Sequence, residues 1–142
     1  MKPKIKVYAN SQCRIALGIV KAYQLINPKA TMEDFKKAFP NNLNPDCGSK
    51  QIFMAEGDID THVANGEEWY KTGRGYLNED SEWLVMPDGE RVGFVNMWSE
   101  SSYKRMVEHA QQYGILTEMS EVEHGSYRLE YLNGFDPSNT AR

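Results

Sequence analysis

The stretch Trp83-Leu84-Val85-Met86-Pro87-Asp88-Gly89-Glu90-Arg91-Val92-Gly93-Phe94-Val95 decides the fold class of this 142-residue chain. Two apolar, β-favouring runs flank a short Pro-Asp-Gly-Glu segment, the pattern of an antiparallel hairpin. Asp88-Gly89 is expected to supply the positive φ angles of the turn. A hairpin in mid-chain, without regular strand–helix–strand alternation around it, argues against a parallel nucleotide-binding sheet and for α+β.

Upstream, Ile5, Val7 and Ala9 alternate with Lys4, Lys6 and Tyr8, which suits a short strand with one wet face whose lysines protect an edge. From Arg14 to Ile26, apolar residues recur at three- and four-residue spacing until Asn27-Pro28 stops the helix. Thr31-Met32-Glu33-Asp34 has the form of a capping box, so a second short helix is expected, with Phe35, Ala38 and Phe39 inward and Pro40 after it. Asn41 to Lys50 reads as loop, Gln51 to Met54 as strand, and Ala55 to Asn65 is ambiguous. Trp69 to Leu77, interrupted by Gly73 and Gly75, suits a strand with a bulge. Downstream of the hairpin, Tyr103, Met106, Val107, Ala110 and Tyr113 mark an amphipathic helix over Ser101–Tyr113 that Gly114 closes. A last strand is expected around Tyr127, Leu129 and Tyr131. The chain thus reads as one α+β domain over residues 1–132, a mainly antiparallel sheet with helices packed on one face, followed by a flexible tail over 133–142.

Composition is that of a globular protein, with 40% hydrophobic and 25% charged residues. The formal net charge of −4 hides an asymmetry: residues 1–50 hold nine Lys/Arg against three acids, and residues 51–142 hold seven against seventeen. Such a split either satisfies itself across the fold or offers a basic face to nucleic acid and an acidic one to a basic partner. Cys13 and Cys47 are read as free thiols. The apolar run Ile15–Val20 is too short for a membrane span and follows polar residues too closely for a secretory leader, so a cytoplasmic protein with no membrane partner is expected.

Ala30-Thr31-Met32-Glu33-Asp34-Phe35-Lys36-Lys37-Ala38-Phe39-Pro40, then Ile52-Phe53, Met86-Pro87-Asp88-Gly89-Glu90-Arg91-Val92 and Asn96-Met97-Trp98 form a familiar succession. Over residues 14–116 it resembles a small, largely uncharacterised bacterial α+β module of hypothetical proteins, sometimes found beside restriction-type or nuclease-type domains. The resemblance implies a fold and a nucleic-acid context; it implies no catalytic residues.

Candidate chemistry is sparse. Glu56, Asp58, Asp60 and His62 would share one face if 56–62 were a strand, and carboxylates with an imidazole suit Mg²⁺ or Mn²⁺ and metal-dependent phosphodiester hydrolysis. Against this, Gly57 and Asp58 favour a turn, and adjacent acids more often form a solvated face. The calcium-loop pattern fails at His62 and Val63, and Gly73-Arg74-Gly75 lacks the third glycine of a dinucleotide fingerprint. Cys13 and Cys47 are candidate nucleophiles and His62, His109 and His124 candidate bases, with nothing in the sequence to join them. Trp98 reads as a core plug between strand and helix.

A binding surface is the better-supported expectation. Lys4, Lys6, Arg14, Lys21, Lys36 and Lys37 can neutralise phosphates, and Tyr8 can stack on an unpaired base. The chain is therefore expected to be a non-enzymatic binding module acting on nucleic acid or on a nucleic-acid-handling protein, with no cofactor. The alternatives are the metal-dependent phosphodiesterase of the acidic cluster, with Mg²⁺ or Mn²⁺, and a homo-oligomer in which basic and acidic halves of different copies meet.

Overall fold

The computed structural model describes residues 2–45, 47, 51–67, 70, 75–77, 79–123 and 125–139. The fold is α+β, with two three-stranded sheets in place of the single sheet that the sequence suggests. The chain divides into two compact units, Met1–Lys29 with Tyr103–Arg142, and Ala30–Ser102. Each has its own sheet.

In the first unit, strand β1 (Ile5–Ala9) buries Ile5, Val7 and Ala9 completely and leaves Lys6 and Tyr8 half-buried on the other face. It is the middle strand, not an edge. β5 (Ile115–Met119) pairs with it in parallel from Ile5↔Ile115 to Ala9↔Met119, and β6 (Arg128–Tyr131) pairs antiparallel from Ile5↔Tyr131 to Tyr8↔Arg128. Helix α1 (Gln12–Ile26) starts at Ser11, whose side-chain oxygen accepts the Arg14 N–H, and ends where the Asn27 N–H bonds Tyr23 O. It lies on the buried face of β1 so closely that a Cβ on Gly18 would sit 2.2 Å from Val7 Cγ1. Helix α4 (Glu100–Ala110), which belongs to this unit from Tyr103 on, runs into a 3-10 turn ended by Gly114 at φ 77°. Tyr113 of that turn meets Tyr23 of α1 edge-on at 5.2 Å. Of the expected tail, residues 133–139 are described: Asn133 adopts φ 53° and donates from Nδ2 to Pro3 O at 2.7 Å.

In the second unit, helix α2 (Met32–Ala38) carries the expected capping box, Thr31 and Asp34 each bonding the other's backbone N–H. Strands β2 (Phe53–Ala55), β4 (Arg91–Phe94) and β3 (Leu84–Val85) form an antiparallel sheet in that order. The hairpin joining β3 to β4 differs from the expected turn. Only Gly89 has a positive φ, 89°; Asp88 instead accepts the Glu90 N–H on Oδ1. Together with the Gly89 N–H to Met86 O bond, this is a three-residue loop with Pro87 leading and glycine in the left-handed position. Residues 56–64, ambiguous in sequence, form helix α3 (Glu56–Ala64), buried through Ile59. Phe53 is the hub of the core, touching the rings of Phe35, Phe39 and Phe94, and Trp98 stacks on Phe94 while donating to Val95 O. Trp69 and most of the expected bulged strand, including Gly73 and Arg74, lie outside the described residues.

Among the described residues, two tight glycines make a direct comparison. Gly18→Ala forces a methyl into stiff, β-branched Val7, and is expected to cost about 1–3 kcal/mol, although alanine is the better helix former by about 1 kcal/mol. Gly93→Ala meets the terminal Cδ1 of Ile59 at 2.7 Å, which can rotate away, and should cost less. Urea unfolding midpoints of the two variants test this ranking; an unchanged midpoint for Gly18→Ala would contradict the close packing of α1 on β1.

Candidate nucleic-acid interface

Because side chains alternate along a strand, placing α1 over Ile5, Val7 and Ala9 leaves the other face of the first unit's sheet to Lys6 and Tyr8. The register adds Leu116 and Glu118 from β5 and Glu130 and Arg128 from β6. Glu118, Arg128 and Glu130 are exposed. The Lys6 ammonium lies 3.0 Å from Glu118 Oε1, and the Tyr8 hydroxyl donates to Glu130 Oε1 at 2.8 Å. The Arg128 guanidinium sits 4.0 Å from the Tyr8 ring centroid and Lys6 Nζ 5.1 Å from it. The result is an aromatic ring flanked by two cations, of which Lys6 is paired with a carboxylate. The hydrogen bond to Glu118 raises the Lys6 pKa above its ordinary value of 10.5, outweighing the opposing effect of desolvation.

Grooves lie at both ends of this sheet. One, of about 260 Å³, is lined by Lys2, Lys4, Leu132 and Phe135 among others. The Leu132 N–H bonds Lys4 O, which extends the β1–β6 ladder to this end. The other, of about 450 Å³, is lined by Glu121, Glu123, Tyr127 and Arg128.

Of the seven binding residues singled out in the sequence, Lys4, Lys6 and Tyr8 lie on this sheet. Arg14 and Lys21 belong to α1, the layer on the opposite side of the sheet, where Arg14 Nη1 approaches Cys13 Sγ at 3.5 Å. Lys36 and Lys37 lie on α2 in the other unit. The seven therefore do not share one face. Arg128, which sequence reasoning passes over, does share it, because β6 places it directly across from Tyr8.

The acidic cluster is corrected. Glu56, Asp58, Asp60 and His62 lie on a helix, where a spacing of two sends successive side chains to nearly opposite sides. Glu56 pairs with Arg91 at 3.4 Å, while His62 Nδ1 bonds Glu67 Oε2 and its ring stacks on Tyr70 at 3.9 Å. Asp58 and Asp60 are exposed. Among the described residues no three metal-ligating side chains gather, so the premise of the phosphodiesterase reading, a strand that aligns the four, does not hold. Cys13 and Cys47 are free thiols; Cys47 is buried and donates to Asn44 O. His124 lies outside the described residues. Among the described residues no helix is long and apolar enough to cross a membrane.

Compared with protein families, with curated proteins and with solved structures, the chain gives no match. These comparisons assign no function, and the side chains themselves must carry it.

The Lys6–Glu118 pair is open to measurement. Lys6 is expected to titrate above an ordinary lysine by NMR, and Glu118→Gln to bring it down. Any stability from the pair is present below the ordinary lysine pKa and lost as pH rises through the raised value. An ordinary Lys6 titration in the unaltered chain would contradict the pairing.

Proposed function

We propose that this chain is a binding module that takes single-stranded nucleic acid on the open face of the β5-β1-β6 sheet. The observation that carries the reading is Tyr8, half-buried on the middle strand among the exposed Glu118, Arg128 and Glu130 and flanked by Lys6 and Arg128. Unit charge supports it: the unit holding this sheet has ten Lys/Arg against six acids, so the basic character of the chain resides there. Aromatic stacking needs a free base plane, which a duplex does not offer, so a single strand fits. A base replaces Arg128 over Tyr8, and the released guanidinium and Lys4 meet the flanking phosphates.

Glu118 and Glu130 shape the expected affinity. They hold Lys6 and Tyr8 in position but oppose phosphate, so binding should be modest and its salt dependence shallow, with few counterions released. Fluorescence anisotropy with a labelled oligothymidylate at low salt tests this. Tyr8→Ala is expected to weaken binding about tenfold or more, since each stacked base contributes about 1–3 kcal/mol. Glu130→Gln is expected to strengthen it, and a duplex of the same length to bind less well. No binding at low salt, or equal affinities for Tyr8→Ala and the unaltered chain, would overturn the reading.

A further inference from the structure

The second unit carries a groove of different chemistry. Its volume is about 250 Å³; Met32, Met86 and Pro87 form an apolar floor, and Glu33, Asp88 and Glu90 form the rim. Both walls are braced within the same unit. The Thr31–Asp34 capping box fixes the start of α2, and the Met86–Glu90 loop is closed by the Gly89 N–H to Met86 O and Met86 N–H to Glu90 O bonds. Asp34 does not join the rim, because its carboxylate is turned to the Thr31 N–H, which lowers its pKa.

Among the described residues, the Glu33 and Glu90 carboxylates have no ion-pair partner, and Asp88 accepts only a backbone N–H. The whole unit holds six Lys/Arg against fourteen acids, the reverse of the first unit. From this pairing of apolar floor and unmatched carboxylate rim, we infer that the groove between the start of α2 and the β3–β4 hairpin docks a basic, apolar-centred peptide segment of a partner protein. An aliphatic side chain fills the floor, where methionine adapts to varied shapes. Lys or Arg on either side meets Glu33 at one rim and Asp88 with Glu90 at the other. The floor decides against a free hydrated cation: thioether and pyrrolidine carbons give it nothing to coordinate. A groove already braced by local hydrogen bonds also limits the ordering cost of binding. The inference concerns a different unit from the nucleic-acid face, so each can fail without the other.

The probe is a fluorescein-labelled peptide, Gly-Lys-Leu-Arg-Leu-Lys-Gly, titrated by anisotropy against the full chain. The expected result is saturable binding that weakens roughly fivefold to tenfold for the Glu33→Gln, Glu90→Gln double variant. Both positions are exposed, so the variant should keep its fold, which circular dichroism checks. A control of equal charge change on the other unit, Glu121→Gln with Glu123→Gln, is expected to leave affinity unaltered. Replacing both leucines of the probe by serine is expected to weaken binding as much as the double variant does. Absence of binding, equal losses from the control pair, full retention by the serine peptide, or displacement by spermine as effectively as by unlabelled peptide would each overturn the inference.

Discussion

The close approach of α1 to β1 at Gly18 and Val7 constrains everything else in the first unit. It is possible only because position 18 has no side chain, and it commits Ile5, Val7 and Ala9 to the core. With the strand period of two, that choice sends Lys6 and Tyr8 to the far side. β5 and β6 then pair on either flank, and their register decides which side chains join Tyr8. Had the strand slipped by one residue, Lys6 and Tyr8 would be under the helix and the apolar set in water. The open face is therefore a consequence of core packing rather than an addition to it.

The fold also redistributes charge. Along the chain, a basic first third precedes an acidic remainder; in space, Lys36 and Lys37 go to the acidic unit, while Arg128 and Glu130 go to the basic one. Two surfaces of contrasting chemistry result: cations around an aromatic ring on one sheet, and carboxylates around methionines beside a hairpin. Neither resembles a buried catalytic centre. Both are edged by exposed charged side chains, whose displacement by a ligand costs little.

Much of the fold is legible where one local mechanism dominates. The capping box at Thr31, the stop at Asn27-Pro28, the left-handed Gly114 and the hairpin after Met86 all follow from backbone chemistry within four or five residues. Trp98, expected as a core plug from its place between strand and helix, does stack on Phe94 but stays half-buried at the edge of that core. β5 escapes a sequence reading because Ile115-Leu116-Thr117-Glu118-Met119 does not alternate cleanly and its partner lies more than a hundred residues away. The lysines of β1 look like edge guards, yet on an uncovered sheet face a middle strand can carry them as well. In α3, acids at every second position fit a strand pattern, and Ile59 is its only fully buried apolar residue, too little to reveal the helical period. Arg128 is invisible for the same reason as β5, since its position over Tyr8 exists only once the strands pair. Asp88 shows a smaller limit: a three-residue loop needs one left-handed residue, not two.

The central claim is that the exposed side of β1 and its neighbours forms one ligand-binding face. The most direct measurement is a two-dimensional ¹⁵N–¹H NMR titration of the full chain with oligothymidylate. A single face requires that the largest, saturating shifts fall on Lys4, Lys6, Tyr8, Leu116, Glu118, Arg128 and Glu130. Shifts centred on Arg14 and Lys21 of α1 or on Lys36 and Lys37 of α2, or no saturating shifts at all, would contradict it.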